Sequence, residues 1–296
     1  MIDYWVFALL APVFFAVGNV IDNHVLHSRL RDPVSYNILT TWPSLPFAAA
    51  IFLFWRVSFA FNAWFVAGTI GFVFTFLFIM YTTAMMKEQG TNVVSVLYTG
   101  PLFVAVLAAV FLGERLDTVD YAGIVLIVAS AFLVLYRRFD SKNRALGIML
   151  VYALLSSFAR IVAKSALESV DLWSYLFWFL VGGGIGSVVL AILWSRRFSA
   201  AWRQLDARTT SLLIATSTIS TFGLILLYAA ISLGAVSIAS GLAAVQPTIV
   251  FLLTAVLVHF RPGAVPSERV SGKWADMRKI GAVLLIILGV LALTEA

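Results

Sequence analysis

Residues 81–104, YTTAMMKEQGTNVVSVLYTGPLFV, and residues 228–250, YAAISLGAVSIASGLAAVQPTIV, read as two copies of one pattern. Tyr81-Thr82-Thr83-Ala84 matches Tyr228-Ala229-Ala230-Ile231, a glycine follows each (Gly90 and Gly234), and Pro101-Leu102-Phe103-Val104 matches Pro247-Thr248-Ile249-Val250. The Tyr-to-Pro interval is 20 residues in the first copy and 19 in the second. Upstream, Ala8-Leu9-Leu10 matches Ala153-Leu154-Leu155. A repeat this long divides the chain into two related halves, 1–139 and 140–296.

The composition sets the solvent. Of 296 residues, 62% are hydrophobic and 11% charged, and the mean hydropathy is +1.00. Soluble domains run near 45–50% apolar and about 25% charged, so a chain this apolar is expected to be solvated by lipid. Apolar runs long enough to cross a bilayer lie near 2–21, 34–55, 63–85, 91–112 and 118–136, then near 146–166, 172–194, 209–230, 236–259 and 279–294. Turn or charge signals separate them: Arg31-Asp32-Pro33, Lys87-Glu88-Gln89-Gly90, Gly113-Glu114-Arg115, Ser232-Leu233-Gly234 and Arg261-Pro262-Gly263. The first run carries no basic leader or cleavage pattern, so it reads as a transmembrane helix. The expected fold class is all-α integral membrane, with ten transmembrane helices.

Alternation of ten spans puts the loops after spans 1, 3, 5, 7 and 9 on one side. They hold 16 of the 20 Lys and Arg residues, among them Arg29, Arg31, Arg137, Arg138, Arg196, Arg197, Arg203 and Arg261. The other side has Arg56 and Arg115, while Arg160 and Lys164 fall inside span 6. The positive-inside rule then places the basic loops in the cytoplasm and both termini outside a multi-pass cell-membrane protein. The net charge of +6 is a property of these loops and implies no nucleic-acid partner.

Five spans per half is an odd number, so consecutive halves cross in opposite senses and form two inverted-topology repeats of five. Secondary transporters recur on this plan, because rocking one half against the other exposes a central site alternately to each side. The stretch from Pro101 to Leu116, PLFVAVLAAVFLGERL, resembles the signature of EamA-type members of the drug/metabolite transporter superfamily. Tyr121 to Ser130, YAGIVLIVAS, resembles that family's fifth helix. The second half departs from it, with His259-Phe260-Arg261 at the Gly-Glu-Arg position. The resemblance implies a ten-helix, EamA-like transporter with a central cavity, handling amino acids, organic anions or amphiphiles by alternating access, with export as the expected direction. Members are often described with cytoplasmic termini; loop charge places these outside.

Ionisable groups in a bilayer are costly, roughly 2.5–3.5 kcal/mol each, and mark functional pathways. Asn19, Asp22 and Asn23 share one face of span 1; Arg160 and Lys164 share one face of span 6, near Ser156 and Ser157. Asp22 is expected to pair with Lys164 or Arg160 in one state, with solute, proton or counter-solute replacing the pair in another. A basic cluster there suits a carboxylate or phosphate. Pro101 and Pro247, each read as mid-span, are expected to kink their helices and line the cavity, beside Tyr98 and Gln246. Tyr81 and Tyr228, with Trp42 and Trp178, offer aromatic walls. The candidate substrate-binding residues are thus Asn19, Asp22, Tyr81, Tyr98, Ser156, Arg160, Lys164, Tyr228 and Gln246.

Gly182-Gly183-Gly184-Ile185-Gly186 has no following Lys-Ser/Thr and reads as a site of close helix approach, not a phosphate loop. Glu114-Arg115 reads as a solvated cap, and His24 with His27 as a solvent-facing pair, not a metal site. No cysteine, nucleotide loop or Ser/His/Asp constellation points to an enzyme or a cofactor. The rival reading is a membrane-embedded enzyme or lipid-handling protein acting on a lipid-linked substrate. The assembly expected is a monomer or homodimer whose partners are a small-molecule solute and the lipid bilayer. Because the chain lacks cysteine, the orientation has a clean test: on intact cells, a membrane-impermeant maleimide labels an Arg115→Cys variant and leaves Arg197→Cys unlabelled. The reverse pattern would invert the topology.

Overall fold

The computed structural model describes residues 4–87, 93, 96, 97, 99–135, 144–260 and 273–295. Gly90, Tyr98 and the loop cations Arg137, Arg138, Lys142, Arg261 and Arg269 lie outside the described residues. Among the described residues all regular structure is helical. The principal helices are α1 (Tyr4–Ser28), α2 (Pro33–Thr41), α3 (Leu45–Phe54), α4 (Gly68–Lys87), α5 (Gly100–Phe111), α6 (Thr118–Leu135) and α7 (Arg144–Leu167). They continue with α8 (Leu172–Leu193), α9 (Ser195–Arg203), α10 (Ala207–Leu233), α11 (Val236–Ala243), α12 (Gln246–Phe260) and α13 (Lys273–Glu295).

The loop residues that broke the apolar runs start the helices. Asp32 accepts the Ser35 amide at 2.9 Å, with Pro33 in the first turn. Asp171 accepts the Trp173 and Ser174 amides, and Asp206 accepts that of Thr209. A carboxylate at the N-cap satisfies amides the helix leaves open and meets the positive end of its dipole. Among the described residues, seven helical segments are long and apolar enough to cross a bilayer: Tyr4–Ser28, Pro33–Phe54, Ala63–Lys87, Arg144–Leu167, Leu172–Leu193, Ala207–Leu233 and Val236–Thr254. Three shorter apolar helices, Gly100–Phe111, Thr118–Ser130 and Gly281–Thr294, fall where the remaining spans are expected. Leu53, Phe54, Val110, Phe111 and Ile192 stand exposed on the outer surface, an arrangement that lipid tolerates and water does not.

Two features differ from the reading of the sequence. Pro101 and Pro247 do not bend continuous helices. Pro101 sits in the first turn of α5, and Pro247 is the second residue of α12. Proline lacks the amide that a helix start leaves unused, so it begins a helix at no hydrogen-bonding cost. Ahead of Pro247 the chain breaks at Ala244–Val245, which divides α11 from α12. The second difference is α9, a short amphipathic helix joining α8 to α10. Its Trp202 and Phe198 pack on Trp42 at ring distances of 6.0 and 5.4 Å, while Arg196, Arg197 and Arg203 are exposed. Its nine residues lack an apolar run of spanning length, so hydropathy alone passed over it.

The glycine run of α8 lets two backbones touch. A Cβ built on Gly182 would collide with the Gly68 carbonyl, and one on Gly71 with the Phe179 carbonyl. Helices in lipid associate through such small-residue contacts, because burial from water offers them little. Gly182→Val is therefore expected to force α4 and α8 apart at a cost of about 1–3 kcal/mol. A lower melting temperature of the purified protein in detergent, relative to Ile185→Val on the exposed side of the same helix, checks this.

Candidate functional site

The site is built along the seam where α1 lies antiparallel to α10. At one end Arg29 donates to Asp206 and Thr209, each at 3.1 Å. The Thr209 hydroxyl and amide, with the Arg29 guanidinium, hold the Asp206 carboxyl below its ordinary value. The cap is thus ionised at neutral pH, and its contribution fades as the pH falls through that lowered value. Seven residues inward along α1, about 10 Å at 1.5 Å per residue, Asp22 is buried. Its Oδ1 accepts the Tyr36 hydroxyl and the Thr216 hydroxyl, both at 2.5 Å. One carboxylate thus ties α1 to α2 and α10. Asn19, one turn further, accepts the Tyr81 hydroxyl at 2.9 Å and ties α1 to α4.

Beyond Asp22 the seam opens into a cavity of about 210 Å³. Phe15 of α1, Asn37 and Thr41 of α2, Phe74, Thr75 and Phe78 of α4, Phe179 and Gly183 of α8, and Ser220, Thr221 and Leu224 of α10 line it, with Ser44, Gly71 and Leu180. No Asp, Glu, Lys, Arg or His contributes to the wall. Most of its polar groups are already engaged: Asn37 donates to the Thr75 carbonyl at 2.5 Å, Thr75 to Gly71 and Gly183, and Thr221 to Ser217. Ser220 makes no hydrogen bond among the described residues and sits beside Gly18, where a Cβ would lie 2.6 Å from its hydroxyl. The glycine leaves this hydroxyl room. The wall is therefore aromatic and aliphatic, with a free hydroxyl on α10.

Past the cavity lies a phenol layer. Tyr228 packs on Phe179 at 5.6 Å and on Tyr175 at 4.9 Å. The Arg160 guanidinium acts electrostatically on Tyr228 and Tyr152, and makes no hydrogen bond or ion pair among the described residues. It is separated from the cavity by one aromatic layer. Lys164 is used differently from the expectation: its ammonium donates to the carbonyls of Ile231 at 3.0 Å and Gly234 at 2.9 Å, closing the C-terminus of α10. Asp22 and Lys164 each have other partners here and are not paired with one another.

The remaining candidates divide. Ser156 bonds to its own helix at Ala153, while its neighbour Ser157 reaches Gly100 at 3.0 Å and fixes the start of α5 against α7. Pro101, Gln246 and Pro247 are buried at the starts of half-helices, outside the cavity wall. Trp42 donates to Ser187 and Trp178 to the Ser58 carbonyl, so neither walls the cavity. Sequence reading missed Phe15, Phe74, Phe78, Phe179 and Ser220. The only available signal was helical spacing, Phe74 and Phe78 at i, i+4 on α4, which in an apolar span marks any packed face equally well.

A bundle of apolar helices around a cavity without charged lining is the architecture of a polytopic membrane protein. Residues 4–136 match the model of the EamA-like transporter family, within the drug/metabolite transporter superfamily. The chain therefore carries an EamA-like unit from α1 through α6, and the match ends close to the expected boundary between halves. That family is one of membrane transporters of small solutes. No curated protein matches the chain. A solved structure, described only as a crystal structure of a protein, superposes with a TM-score of 0.68 at 17% identity, over 99% of this chain and 95% of that one. At that identity the likeness establishes the fold alone, and it extends through both halves.

The Asp22 node carries a stability prediction. Tyr36→Phe together with Thr216→Val removes both donors, and a buried acceptor left without a partner costs about 1–3 kcal/mol. The double variant is expected to melt below either single variant. An unchanged melting temperature would show that the node contributes nothing to the bundle.

Proposed function

We propose that the chain is a secondary transporter of ten spans in two inverted five-helix units, moving a small, uncharged solute with an apolar or aromatic body by alternating access. The observation that carries this reading is the charge-free cavity, whose wall is shared between halves: α1, α2 and α4 from the first, α8 and α10 from the second. A cavity divided in this way changes its access when one half rocks against the other. Its volume lies below the roughly 300–1,000 Å³ of sites for drug-sized ligands, which favours a metabolite-sized solute. An ionised solute would lose its hydration there without meeting a counter-charge, which favours the amphiphile branch of the expectation over organic anions.

The helix pairings support the inverted repeat. Under a correspondence of each span with the one five later, the α1–α10 pair answers to α7–α4, and α5–α7 answers to α12 against α1; all four pairs pack. Tyr81 hydrogen-bonds Asn19 of α1, and Tyr228, at the matching repeat position, feels the charge of Arg160 of α7 without bonding it. The Arg29–Asp206 bridge joins two of the basic loops at one end of the bundle, which supports their lying on one side of the membrane. In this reading Asn19, Asp22 and Tyr81 form the polar layer on the cytoplasmic side of the solute, and Arg160 and Tyr228 the layer on the other.

Indole and benzoate are similar in size and differ in charge, so together they test the solute class. Indole is expected to raise the melting temperature of the purified protein and benzoate to leave it unchanged. Ser220→Trp, which fills the cavity, should abolish the indole shift and indole flux into proteoliposomes while the variant still folds. Stabilisation by benzoate that is lost in Arg160→Gln would instead assign the site to organic anions.

A further inference from the structure

The turn between α10 and α11, residues 231–237, is gripped by two opposite charges from outside its own helices. Lys164 of α7 donates to the Ile231 and Gly234 carbonyls, at the negative end of α10. Glu114, in the loop between α5 and α6, takes the other end. Its Oε1 accepts the Val236 amide at 2.8 Å, and its Oε2 accepts the Ser237 amide at 3.3 Å and the Ser237 hydroxyl at 2.6 Å. Each charge meets the helix end whose dipole it complements.

The local sequence explains why this grip is supplied from elsewhere. The residue at the N-cap of α11 is Ala235, which has no side-chain acceptor, and α11 makes no side-chain cap bond of its own. Its first amides are therefore satisfied by a residue more than a hundred positions away. Gly113 enables this: it adopts a left-handed φ of 66°, open to glycine, and ends α5 so that the Glu114 amide returns to the Ala108 carbonyl. The carboxylate is thereby aimed across the boundary between halves, since Glu114 belongs to the first and Val236 and Ser237 to the second. Tyr4, at the start of α1, packs its ring over Gly234 in the same turn.

We propose that Glu114 is a positioning residue for transport: its carboxylate is the latch that closes the cavity on the face opposite the basic loops. The inference rests on the transport reading above. Movement of α5 against α11 separates the two halves at this end, and the Glu114 bonds to Val236 and Ser237 must break for it to occur. Arg29 with Asp206 closes the other end of the same seam, so the two polar contacts bracket the cavity along α1 and α10. Glu114 touches no solute; it acts through the position of α11.

The absence of native cysteine supplies the test. Ser220→Cys places a thiol on the cavity wall, and a membrane-impermeant maleimide is applied separately to each face of oriented vesicles. Glu114→Gln is nearly isosteric but turns a donor toward the Ser237 amide. It is expected to raise the labelling rate from the Glu114 face by ~5-fold or more, within the usual range of coupling between two states, and to lower labelling from the basic-loop face. Ser237→Ala keeps the backbone bonds and is expected to shift both rates in the same directions by less, giving a second variant if Glu114→Gln folds poorly. Unchanged rates in both variants, or equal increases from both faces, would overturn the latch, the second by showing a general loosening. Labelling of the parent from neither face would overturn the transport path and the latch together, whereas a labelled parent that ignores Glu114→Gln rejects the latch alone.

Discussion

The α1–α10 seam is the contact on which the rest of the bundle depends. It runs the length of both helices and closes with the Arg29–Asp206 bridge at one end and Tyr4 on Gly234 at the other. In lipid, helices gain little by hiding apolar surface from water, so small residues and interhelical hydrogen bonds decide which pairs hold. The seam has both. Gly18 sits against Ser220 and Thr216, Gly223 against Ala11 and Phe15, and the Thr216 hydroxyl reaches Asp22. Three further helices are tied to it by side chains: α2 through Tyr36, α4 through Tyr81, and α7 through Lys164.

Polarity is unevenly distributed along this seam. Ionisable side chains cluster at the Asp22 level, at the Tyr228–Arg160 level and at the two ends, and the cavity between them has none. A buried charge beside the cavity would need its own compensation. The Thr221 hydroxyl bonds back to its own helix at Ser217, whereas that of Thr75 bonds both its own helix at Gly71 and α8 at Gly183. The ionisable groups thus lie above and below the cavity and not in its wall.

The sequence made the helical class, most spans and the polar faces of spans 1 and 6 legible, because each rests on local signals: hydropathy, capping acids and helical spacing. Asp22 and Asn19 stand out in the sequence as a carboxylate and an amide in an apolar run. Their partners do not, since Tyr36, Thr216 and Tyr81 are brought near only by tertiary packing. The same limit explains Lys164. Four residues from Arg160, it read as part of a basic cluster, yet its ammonium reaches carbonyls some seventy positions later in the chain. The cavity was the least legible part, because phenylalanines in an apolar span look alike whether they face lipid, a neighbouring helix or a void.

Pro101 and Pro247 show how one residue supports two different readings. A proline within an apolar run of spanning length implies a kink if the run is one helix and a helix start if it is two. The run 236–259 is two: α11 ends at Ala243 and α12 begins at Gln246, with Pro247 in the position where its missing amide costs nothing. Broken helices at membrane depth survive only where protein or a polar cavity satisfies the freed backbone. Here α11 is buried along its whole length and its amino end is satisfied by Glu114. A short half-helix is thus fixed at one end by a carboxylate more than a hundred positions earlier in the chain. The break, the alanine at the N-cap and the distant glutamate are therefore parts of one arrangement, in which backbone satisfaction of α11 depends on the contact between the halves.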